Sequence, residues 1–360
     1  MLLEEPCAQA LFGILVEGLG DRFEPTLCDV YARLFAQVIP GVDLVRYQCV
    51  RRPRPVALQP RRVLLLSRVT LGADVAVTSV LLAAAKQAFP HAEIVFAGPR
   101  KNFEMFAADP RLTHAGVEYR RGSLSQRLAV WDELKALAAG PDCLVLDPDS
   151  RLTQLGLLPI CDKDRYHLFE SRRFGGTNDL NLPTLAARWS QETLGIPNAV
   201  PYVAPVGQAS GLSTPYIAVS LGVGENPAKR ISDGFERQLL ALLSARLPLV
   251  IDKGAGGEEA ARVERAAARS GAQATFWDGS FAGFAHIIAG SSLYVGYDSA
   301  GQHVAAACGV PLISIFAGFP APRMFYRWRP TGPRATVIRV DQPDPVEILA
   351  KVARALANIP

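Results

Sequence analysis

One segment of the chain brings a carboxylate to the junction between an apolar run and a helical pattern. Asp74 closes residues 68–74, which follow the apolar residues 63–66. Backbone N–H groups and the positive end of the helix would face the same edge of a sheet there. A carboxylate at that edge can act as a general base, and its position alone is equally well explained by a helix N-cap.

Two adjacent cations follow a second apolar run, in the later half of the chain. Residues 222–230 contain the glycines Gly222 and Gly224 and end in Lys229 and Arg230. Flexible glycines that lead to adjacent cations favour a clamp for a diphosphate, although a solvated turn explains the same pattern. The spacing lacks both the dinucleotide fingerprint and the Walker Gly-Lys-Ser/Thr sequence.

A third polar segment follows another apolar run. Asp298 can bind sugar hydroxyls, and Ser299 supplies a hydroxyl. The small residues Ala300 and Gly301 permit close approach of a diphosphate. His303 precedes a run of alanines, and that setting indicates a packed histidine that braces the loop rather than a catalyst.

Acidic residues lie beside two further strand ends. Asp147 follows the apolar run 143–146, and open α/β sheets bind ligands at the carboxyl ends of their strands. Glu258 and Glu259 follow two glycines and could hold ribose hydroxyls or only form an acidic first turn of a helix. The six cysteines are scattered and no histidine has metal-ligand spacing, so no metal ligands are predicted.

Apolar runs alternate with helical patterns twice along the chain, which is typical of βαβ units. The runs are continuous rather than alternating, so the strands should be parallel and covered on both faces. The sequence therefore predicts an α/β fold with two doubly wound, Rossmann-like domains. The predicted parts are a helical extension over 1–60, a first domain over 61–205, a second domain over 206–330, and a C-terminal segment over 331–360 whose helix packs back on the body.

The charge balance argues against nucleic acid as a partner. The 360 residues carry 38 Lys and Arg against 34 Asp and Glu, for a net charge of +4, and only 7 of the cations are Lys. Arginine suits phosphate, so an anionic ligand is compatible with this composition. The scattered cysteines fit a reducing cytoplasm, and the acidic residues 4 and 5, followed by a short apolar run over 11–16, do not form an export signal.

Two long uncharged stretches, 193–224 and 299–322, lack the continuous helical pattern of a membrane span. Prolines interrupt both, whereas a span needs about 20 helical residues. The first is predicted to be an interdomain linker with the strand that follows it, and the second a short helix with a buried strand. The arginine-rich segment 51–62 fits either peripheral contact with an anionic membrane face or a linker.

Together, these segments resemble glycosyltransferase family 9, the bacterial ADP-heptose:lipopolysaccharide heptosyltransferase group. The resemblance covers roughly residues 61–330 and is strongest over 293–311, which is similar to the family's strand, Asp-Ser/Thr-Gly-x-x-His sequence and Ala-rich helix. It implies the GT-B fold, with two Rossmann-like domains facing a cleft. It also implies a transferase in the cytoplasm, or peripheral at the inner face of the membrane, that uses a nucleotide-diphosphate sugar as co-substrate and needs no cofactor.

The resemblance implies a metal-independent, inverting, single displacement. Asp74, beside Gly72, would be the general base for the hydroxyl of a glycan, glycolipid or small-molecule acceptor, and Asp147 and Arg151 would face that acceptor. The implied donor-binding residues are Lys229 and Arg230 on the diphosphate, Glu258 or Glu259 on the ribose, Asp298 on the transferred sugar, and Ser299, Ala300 and Gly301 on the phosphates.

Two positions depart from the family's pattern. Its contiguous Gly-Asp is interrupted here, because Ala73 separates Gly72 from Asp74, and its glycine two residues after the second-domain aspartate is replaced by Ala300. Two alternatives to sugar transfer follow. One is a nucleotide-sugar 2-epimerase of the same architecture, and the other is a non-catalytic member that binds a partner through residues 1–60.

Overall fold

The chain forms two compact units, each with its own parallel sheet. Unit 1 comprises residues 1–204 and 320–328, and unit 2 comprises residues 205–319 and 329–360. The computed structural model describes residues 7, 10–11, 17–120, 122–207, 212, 215–224 and 226–359. Most of the apolar run 11–16, and Glu225 of the loop 222–230, lie outside the described residues.

Unit 1 is built on five parallel strands: β1 (Arg62–Leu66), β2 (Glu93–Gly98), β3 (Leu112–Gly116), β4 (Cys143–Asp147) and β5 (Tyr166–Leu168). Their order in the sheet is β3-β2-β1-β4-β5. At the centre, Val63 pairs with Ile94 on one side and with Leu144 on the other. Strands β1 and β4 are buried along nearly their whole length, which is why their sequences are continuous apolar runs.

Helices surround this sheet, and the predicted helical extension supplies the first three. The helices are α1 (Glu17–Gly20), α2 (Pro25–Val38), α3 (Leu44–Val50), α4 (Leu71–Ala73), α5 (Ser79–Ala88), α6 (Arg100–Phe103), α7 (Leu124–Leu128), α8 (Trp131–Leu137) and α9 (Leu182–Leu194). The extension belongs to the unit 1 core, because Tyr31, Phe35 and Tyr47 are buried in one apolar cluster with strand residues. It is therefore part of the unit and not an appendage.

Unit 2 has six parallel strands: β6 (Ile217–Ser220), β7 (Leu249–Asp252), β8 (Ala274–Trp277), β9 (Leu293–Tyr297), β10 (Leu312–Phe316) and β11 (Ala335–Arg339). Their order is β11-β10-β9-β6-β7-β8. The helices that follow β6 along the chain are α10 (Asp233–Ser244), α11 (Gly257–Ser270), α12 (Phe281–Gly290), α13 (Ala300–Ala307), α14 (Pro322–Trp328) and α15 (Pro345–Ala357). Asp344 caps α15 by accepting hydrogen bonds from two backbone N–H groups, at the position where the sequence predicts an N-cap.

Helix α14 belongs to unit 1, although the chain on both sides of it belongs to unit 2. Arg327 explains this placement. Its guanidinium is fully buried and donates to the carbonyl oxygens of Gly176 and Leu180 and to the side chain of Asn178, at 2.7 to 2.9 Å. The division therefore differs from the sequence-based one, in which 206–330 was a single domain and 331–360 a separate segment.

Residues 71–88 have the length and mean hydropathy of a membrane span, the one such helix among the described residues. Within this window, 67% of the residues are buried inside the protein. A helix that packs over the centre of a sheet has the same composition, so its apolar character is explained by its position against β1 and β2.

A buried ion pair ties the N-terminal helices to the end of β5. The guanidinium of Arg51 binds both carboxylate oxygens of Glu170, at 2.6 and 2.7 Å, and also contacts Asp29 at 2.5 Å. Tyr47 donates to the same glutamate at 3.0 Å. Arg51 and Glu170 are each 5% exposed, so neither charge could be hydrated if its partner were lost.

Replacing Arg51 by Met should destabilise unit 1 strongly, because the carboxylate of Glu170 would be left buried without its cation. We expect the free energy of unfolding, measured by urea denaturation, to fall by about 3–5 kcal/mol. The matched control is Arg61→Met, whose side chain is 90% exposed and lies 3.7 Å from Asp142. That variant should change stability by less than about 0.5 kcal/mol, and equal losses in the two variants would contradict the prediction.

Candidate active site at the strand ends

The carboxylate of Asp74 is wholly buried and accepts hydrogen bonds from four donors. One oxygen accepts from Ser67 Oγ and Asn102 Nδ2, both at 2.6 Å. The other accepts from the backbone N–H of Arg68 at 2.7 Å and from Thr78 Oγ1 at 2.6 Å. Burial raises the pKa of Asp74, and the four donors oppose the rise. Since no oxygen is exposed, the carboxylate braces the loop after β1. The role of Asp74 as general base stays a prediction.

A widened helical turn accommodates the extra residue Ala73. The helix begins at Leu71, so Asp74 is not the N-cap that its position in the sequence suggested. Residues Asp74–Thr78 form a π-helical turn, in which the backbone N–H of Ser79 donates to the carbonyl of Asp74. Such a turn closes over one more residue than an α-helical turn. The departure from the family's contiguous Gly-Asp is therefore absorbed locally.

Asp147, at the end of β4, is also buried and organises its own turn. Its carboxylate accepts from the backbone N–H of Ser150 at 2.6 Å and from the hydroxyls of Thr153 and Tyr166. Burial raises the pKa of Asp147 to about 6. These contacts of Asp147 are all internal, and its place on the acceptor side stays a prediction. Arg151, half-buried, begins the 3-10 turn that Asp147 holds.

A buried charge cluster follows the ends of β1, β4 and β5. Asp149 accepts from Ser171 Oγ at 2.7 Å and from Arg172 Nη1 at 2.9 Å. Arg68 Nη1 lies 3.9 Å from the same carboxylate, and burial lowers the pKa of Arg68 to about 10. No sequence motif joins these residues, since only the parallel topology brings their strand ends together.

Backbone strain marks the same edge of the unit 1 sheet. Val69 has φ +67° and Asp149 has φ +69°, and a β-branched residue such as Val69 rarely adopts a positive φ. Gln154 and Leu155, in the loop after β4, also have positive φ values. Strained backbone persists where surrounding contacts hold it and is concentrated at functional sites. This edge, with Gly72 half-buried nearby, is the candidate site of unit 1.

Lys229 and Asp298 meet at the strand ends of unit 2. The Nζ atom of Lys229 lies 2.7 Å from a carboxylate oxygen of Asp298 and donates to its backbone carbonyl at 3.1 Å. Their side chains are 19% and 7% exposed. The loops after β6 and β9, predicted separately to bind a donor, are thus joined by an ion pair.

Gly318 sets the position of Lys229, and sequence reasoning missed it. A Cβ on Gly318 would lie 2.5 to 2.6 Å from the backbone of Ala228 and Lys229, and the glycine has φ +67°. The carbonyl of Gly318 also accepts from the side chain of Asn226 at 3.1 Å. A side chain at residue 318 would therefore push the lysine loop away. A lone glycine after a buried strand is the signal that could have indicated it.

Arg230 is paired with acidic residues within the protein, and its role on the diphosphate stays a prediction. Its Nε lies 2.8 Å from the fully buried Glu236, and its guanidinium also pairs with Asp233. The hydrogen bond to Glu236 raises the pKa of Arg230. Arg262 binds both oxygens of Glu236 at 2.6 Å, so the buried carboxylate is held between two arginines.

Asp298 is oriented by a buried polar chain. Gln302 donates to its carboxylate, and the hydroxyl of Ser314 donates to Gln302 at 2.5 Å. His303 lies beside them, 5% exposed, and burial lowers its pKa to about 4. The imidazole is therefore neutral at pH 7 and sits in the packed interior of unit 2.

The small residues after Asp298 allow close packing inside unit 2, in addition to the predicted close approach of a diphosphate. Ser299 is the N-cap residue of α13, and Ala300 begins that helix, both half-buried. Gly301 is buried, and a Cβ there would collide with the phenol ring of Tyr294. Substitution of Gly301 would therefore displace Tyr294 before it affected any ligand.

Of the two glutamates after β7, Glu259 is the one that reaches the strand ends. Its carboxylate accepts from the backbone N–H of Ala255 at 3.1 Å and lies beside Gly222 of the loop after β6. Glu258 is exposed on the first turn of α11. Asp252, the last residue of β7, was missed by sequence reasoning. Burial, with a smaller contribution from Glu259, raises the pKa of Asp252.

Comparison with known families agrees with this arrangement. Residues 204–350 match the family model described as glycosyltransferase family 9 (heptosyltransferase). The predicted resemblance to this family is therefore confirmed over this part of the chain. It spans nearly all of unit 2, including the loops that carry Lys229, Glu259 and Asp298. The comparison with curated proteins gives no match.

Several solved structures share the architecture of most of the chain. "E. coli heptosyltransferase WaaC with ADP-2-deoxy-2-fluoro heptose" is 17% identical, has a TM-score of 0.58, and the match covers 82% of this chain and 98% of that one. A family 9 glycosyltransferase from Veillonella parvula DSM 2008 is 16% identical with a TM-score of 0.57, and the match covers 83% of this chain and 90% of that one. E. coli ADP-heptose lps heptosyltransferase II is 19% identical with a TM-score of 0.54, and the match covers 82% of this chain and 98% of that one. These matches confirm the predicted α/β, GT-B fold.

Asp74→Asn separates the bracing role of this residue from a role as base. The amide would present its NH₂ group to donors that now face a carboxylate, which should lower the free energy of unfolding by about 1–3 kcal/mol in urea. Asp132→Asn, whose side chain is 93% exposed, is the control and should have no effect. Unchanged stability together with loss of sugar transfer would support a role for Asp74 as the general base and contradict the bracing role.

The stability of unit 1 should depend on pH through Asp147. Its folded pKa of about 6 exceeds the unfolded value of about 3.9, so the folded state binds this proton more tightly. The stabilisation is complete below the unfolded pKa and is lost as the pH rises through about 6. Subtracting the unfolding free energy of Asp147→Asn from that of the wild type, between pH 4 and 7, should give a curve that falls by up to about 3 kcal/mol. A flat difference would contradict the prediction.

Proposed function

We propose that the protein transfers a sugar from a nucleotide-diphosphate sugar to an acceptor hydroxyl, with the donor bound at the strand ends of unit 2. The observation that carries this proposal is the Lys229–Asp298 pair within a family 9 domain. It brings a cation and a carboxylate from two neighbouring loops to the edge where parallel sheets bind ligands. The pair thus combines a group for phosphate with a group for sugar hydroxyls.

The chemistry of transfer requires positive charge beside the diphosphate. The bond between the sugar C1 and the diphosphate oxygen breaks, the acceptor oxygen bonds to C1, and the acceptor proton leaves to a base. Negative charge grows on the departing diphosphate, and Lys229 Nζ is placed to stabilise it. On donor binding, we expect Lys229 to exchange Asp298 for the diphosphate. That exchange leaves the Asp298 carboxylate free to accept hydrogen bonds from the sugar.

We propose that Glu259 holds the ribose of the donor. Its carboxylate lies against Gly222 and Gly254, in space that a side chain at either position would fill. One of the similar solved structures is E. coli heptosyltransferase WaaC with ADP, which makes an adenine nucleotide the first candidate for the donor. Glu258, exposed on the helix surface, is not included in this site.

We propose that an acceptor, whether glycan, glycolipid or small molecule, binds at the strand ends of unit 1. The strained residues Val69 and Asp149 and the buried arginines Arg68 and Arg172 support this location. The transfer is proposed to be inverting and metal-independent, because Lys229 supplies the charge that a metal supplies in other transferases. Peripheral contact with the inner face of a cytoplasmic membrane would give access to a glycolipid.

A panel of nucleotide sugars tests the proposed function. Full-length protein is heated with ADP-, UDP-, GDP- or dTDP-sugars, and one of them should raise the melting temperature, since a ligand of the folded state stabilises it by mass action. The stabilising donor is then incubated with acceptors and followed by proton NMR. Change of the sugar without any acceptor would indicate the 2-epimerase instead. Failure of every donor to bind would overturn the proposal.

Lys229→Met should weaken binding of the donor nucleotide. Loss of one charged contact to the diphosphate costs about 1.5–3 kcal/mol, so titration calorimetry with the nucleoside diphosphate should show about 10- to 100-fold weaker affinity. Lys351→Met, on α15 in the same unit, removes a lysine paired only with Glu347 and should leave affinity unchanged. Equal affinity of Lys229→Met and wild type would remove Lys229 from the site.

A further inference from the structure

A pocket of about 400 Å³ lies between α10 and α11 of unit 2. Four arginines line it: Arg237 from α10, and Arg262, Arg265 and Arg269 from α11. Asp233 is the one acidic residue in its lining among the described part of the chain. The volume lies within the range of about 300–1,000 Å³ that is usual for small-ligand sites.

The charges of this arginine pocket are only partly neutralised. Arg262 is paired with the buried Glu236, and Asp233 is paired with Arg230 outside the pocket. Arg237, Arg265 and Arg269 are exposed, and no hydrogen bond or ion pair holds their guanidinium groups within the described chain. Three free positive charges therefore line one concave site.

The arrangement of these arginines costs helix stability. Positions 262, 265 and 269 follow one another on a single face of α11, where like charges repel by a few tenths of a kcal/mol per pair, about 0.2–0.5. Arg237 faces them from the neighbouring helix, so the repulsion extends across the pocket. Glutamates of the same helix, such as Glu264, pair elsewhere: Glu264 binds Lys253 at 2.9 Å.

An anion with several closely spaced negative oxygens would relieve this repulsion. The planar guanidinium binds phosphate oxygens with two parallel hydrogen bonds, which suits adjacent phosphate groups better than single charges. The pocket is concave, and this favours a free small molecule over the flat surface of a membrane. No aromatic side chain lines it, so it offers no surface for stacking a nucleobase.

We propose that the arginine pocket binds a soluble anion that carries two or more adjacent phosphate groups. The site is separate from the proposed donor site, because its lining lies on the facing surfaces of α10 and α11 and not on the loops after β6, β7 and β9. Arg262 connects the two regions: it binds Glu236, which also holds Arg230 next to Lys229. A ligand that draws Arg262 into the pocket would therefore act on the loop that carries Lys229.

Tripolyphosphate is the probe, and titration calorimetry at constant ionic strength is the measurement, because salt screens exposed charges. The titration uses full-length Lys229→Met, which removes the proposed donor lysine as a second phosphate contact. We expect saturable binding in this background. The added substitutions Arg265→Ala and Arg269→Ala should weaken it at least 10-fold, and Arg237→Ala alone should also weaken it.

Arg354→Ala is the matched control, since Arg354 is exposed on α15 of the same unit, away from the pocket. It should leave tripolyphosphate binding unchanged, and no variant should melt below the temperature of the parent. Equal affinity in the Arg265→Ala/Arg269→Ala variant and its parent would overturn the proposal. So would binding only to phosphatidylglycerol vesicles, because the ligand would then be a membrane. Neither result bears on the donor panel, which tests the proposed function separately.

Discussion

Buried charge must be paired, and this constraint organises both units. In unit 1, Arg51 and Glu170 neutralise each other, and Asp74 is stabilised by four hydrogen-bond donors in place of a cation. In unit 2, Lys229 and Asp298 satisfy one another. The difference between the units is exposure. The side chain of Lys229 is 19% exposed, so a ligand can exchange with its partner, whereas Arg51, Glu170 and Asp74 are closed off by protein.

The central strands could be predicted because burial on both faces dictates their composition. Val63–Leu66 is a continuous apolar run, Leu312–Phe316 is apolar except for Ser314, and each lies in a buried strand. Strand β3, by contrast, lies at a sheet edge and contains Thr113 and His114, so it lacks the pattern. Strand β5 is only three residues long. Short and edge strands are defined by their neighbours in space, and a single sequence does not contain those neighbours.

The candidate site was predictable as a set of loops but not as a set of roles. Every predicted polar segment lies at a strand's carboxyl end, as the parallel topology requires. Which side chains are free for ligand depends on hydrogen bonds between distant segments. Arg230 forms an ion pair with Glu236, which lies six residues further along the chain, on α10. Asp74 accepts hydrogen bonds from Asn102 and three other donors. Such partners follow from packing geometry, which residue type and spacing leave undetermined.

The excursion of α14 into unit 1 has a consequence for synthesis on the ribosome. Residues 1–204 emerge first, yet the acceptors of Arg327, at residues 176, 178 and 180, have to await residue 327. Domains generally fold in order from the N-terminus during synthesis. Here the first unit cannot complete its packing until more than a hundred residues of the second have been made. Unit 1 is therefore complete only after most of unit 2 has been made, and a cut after residue 204 would leave it without α14.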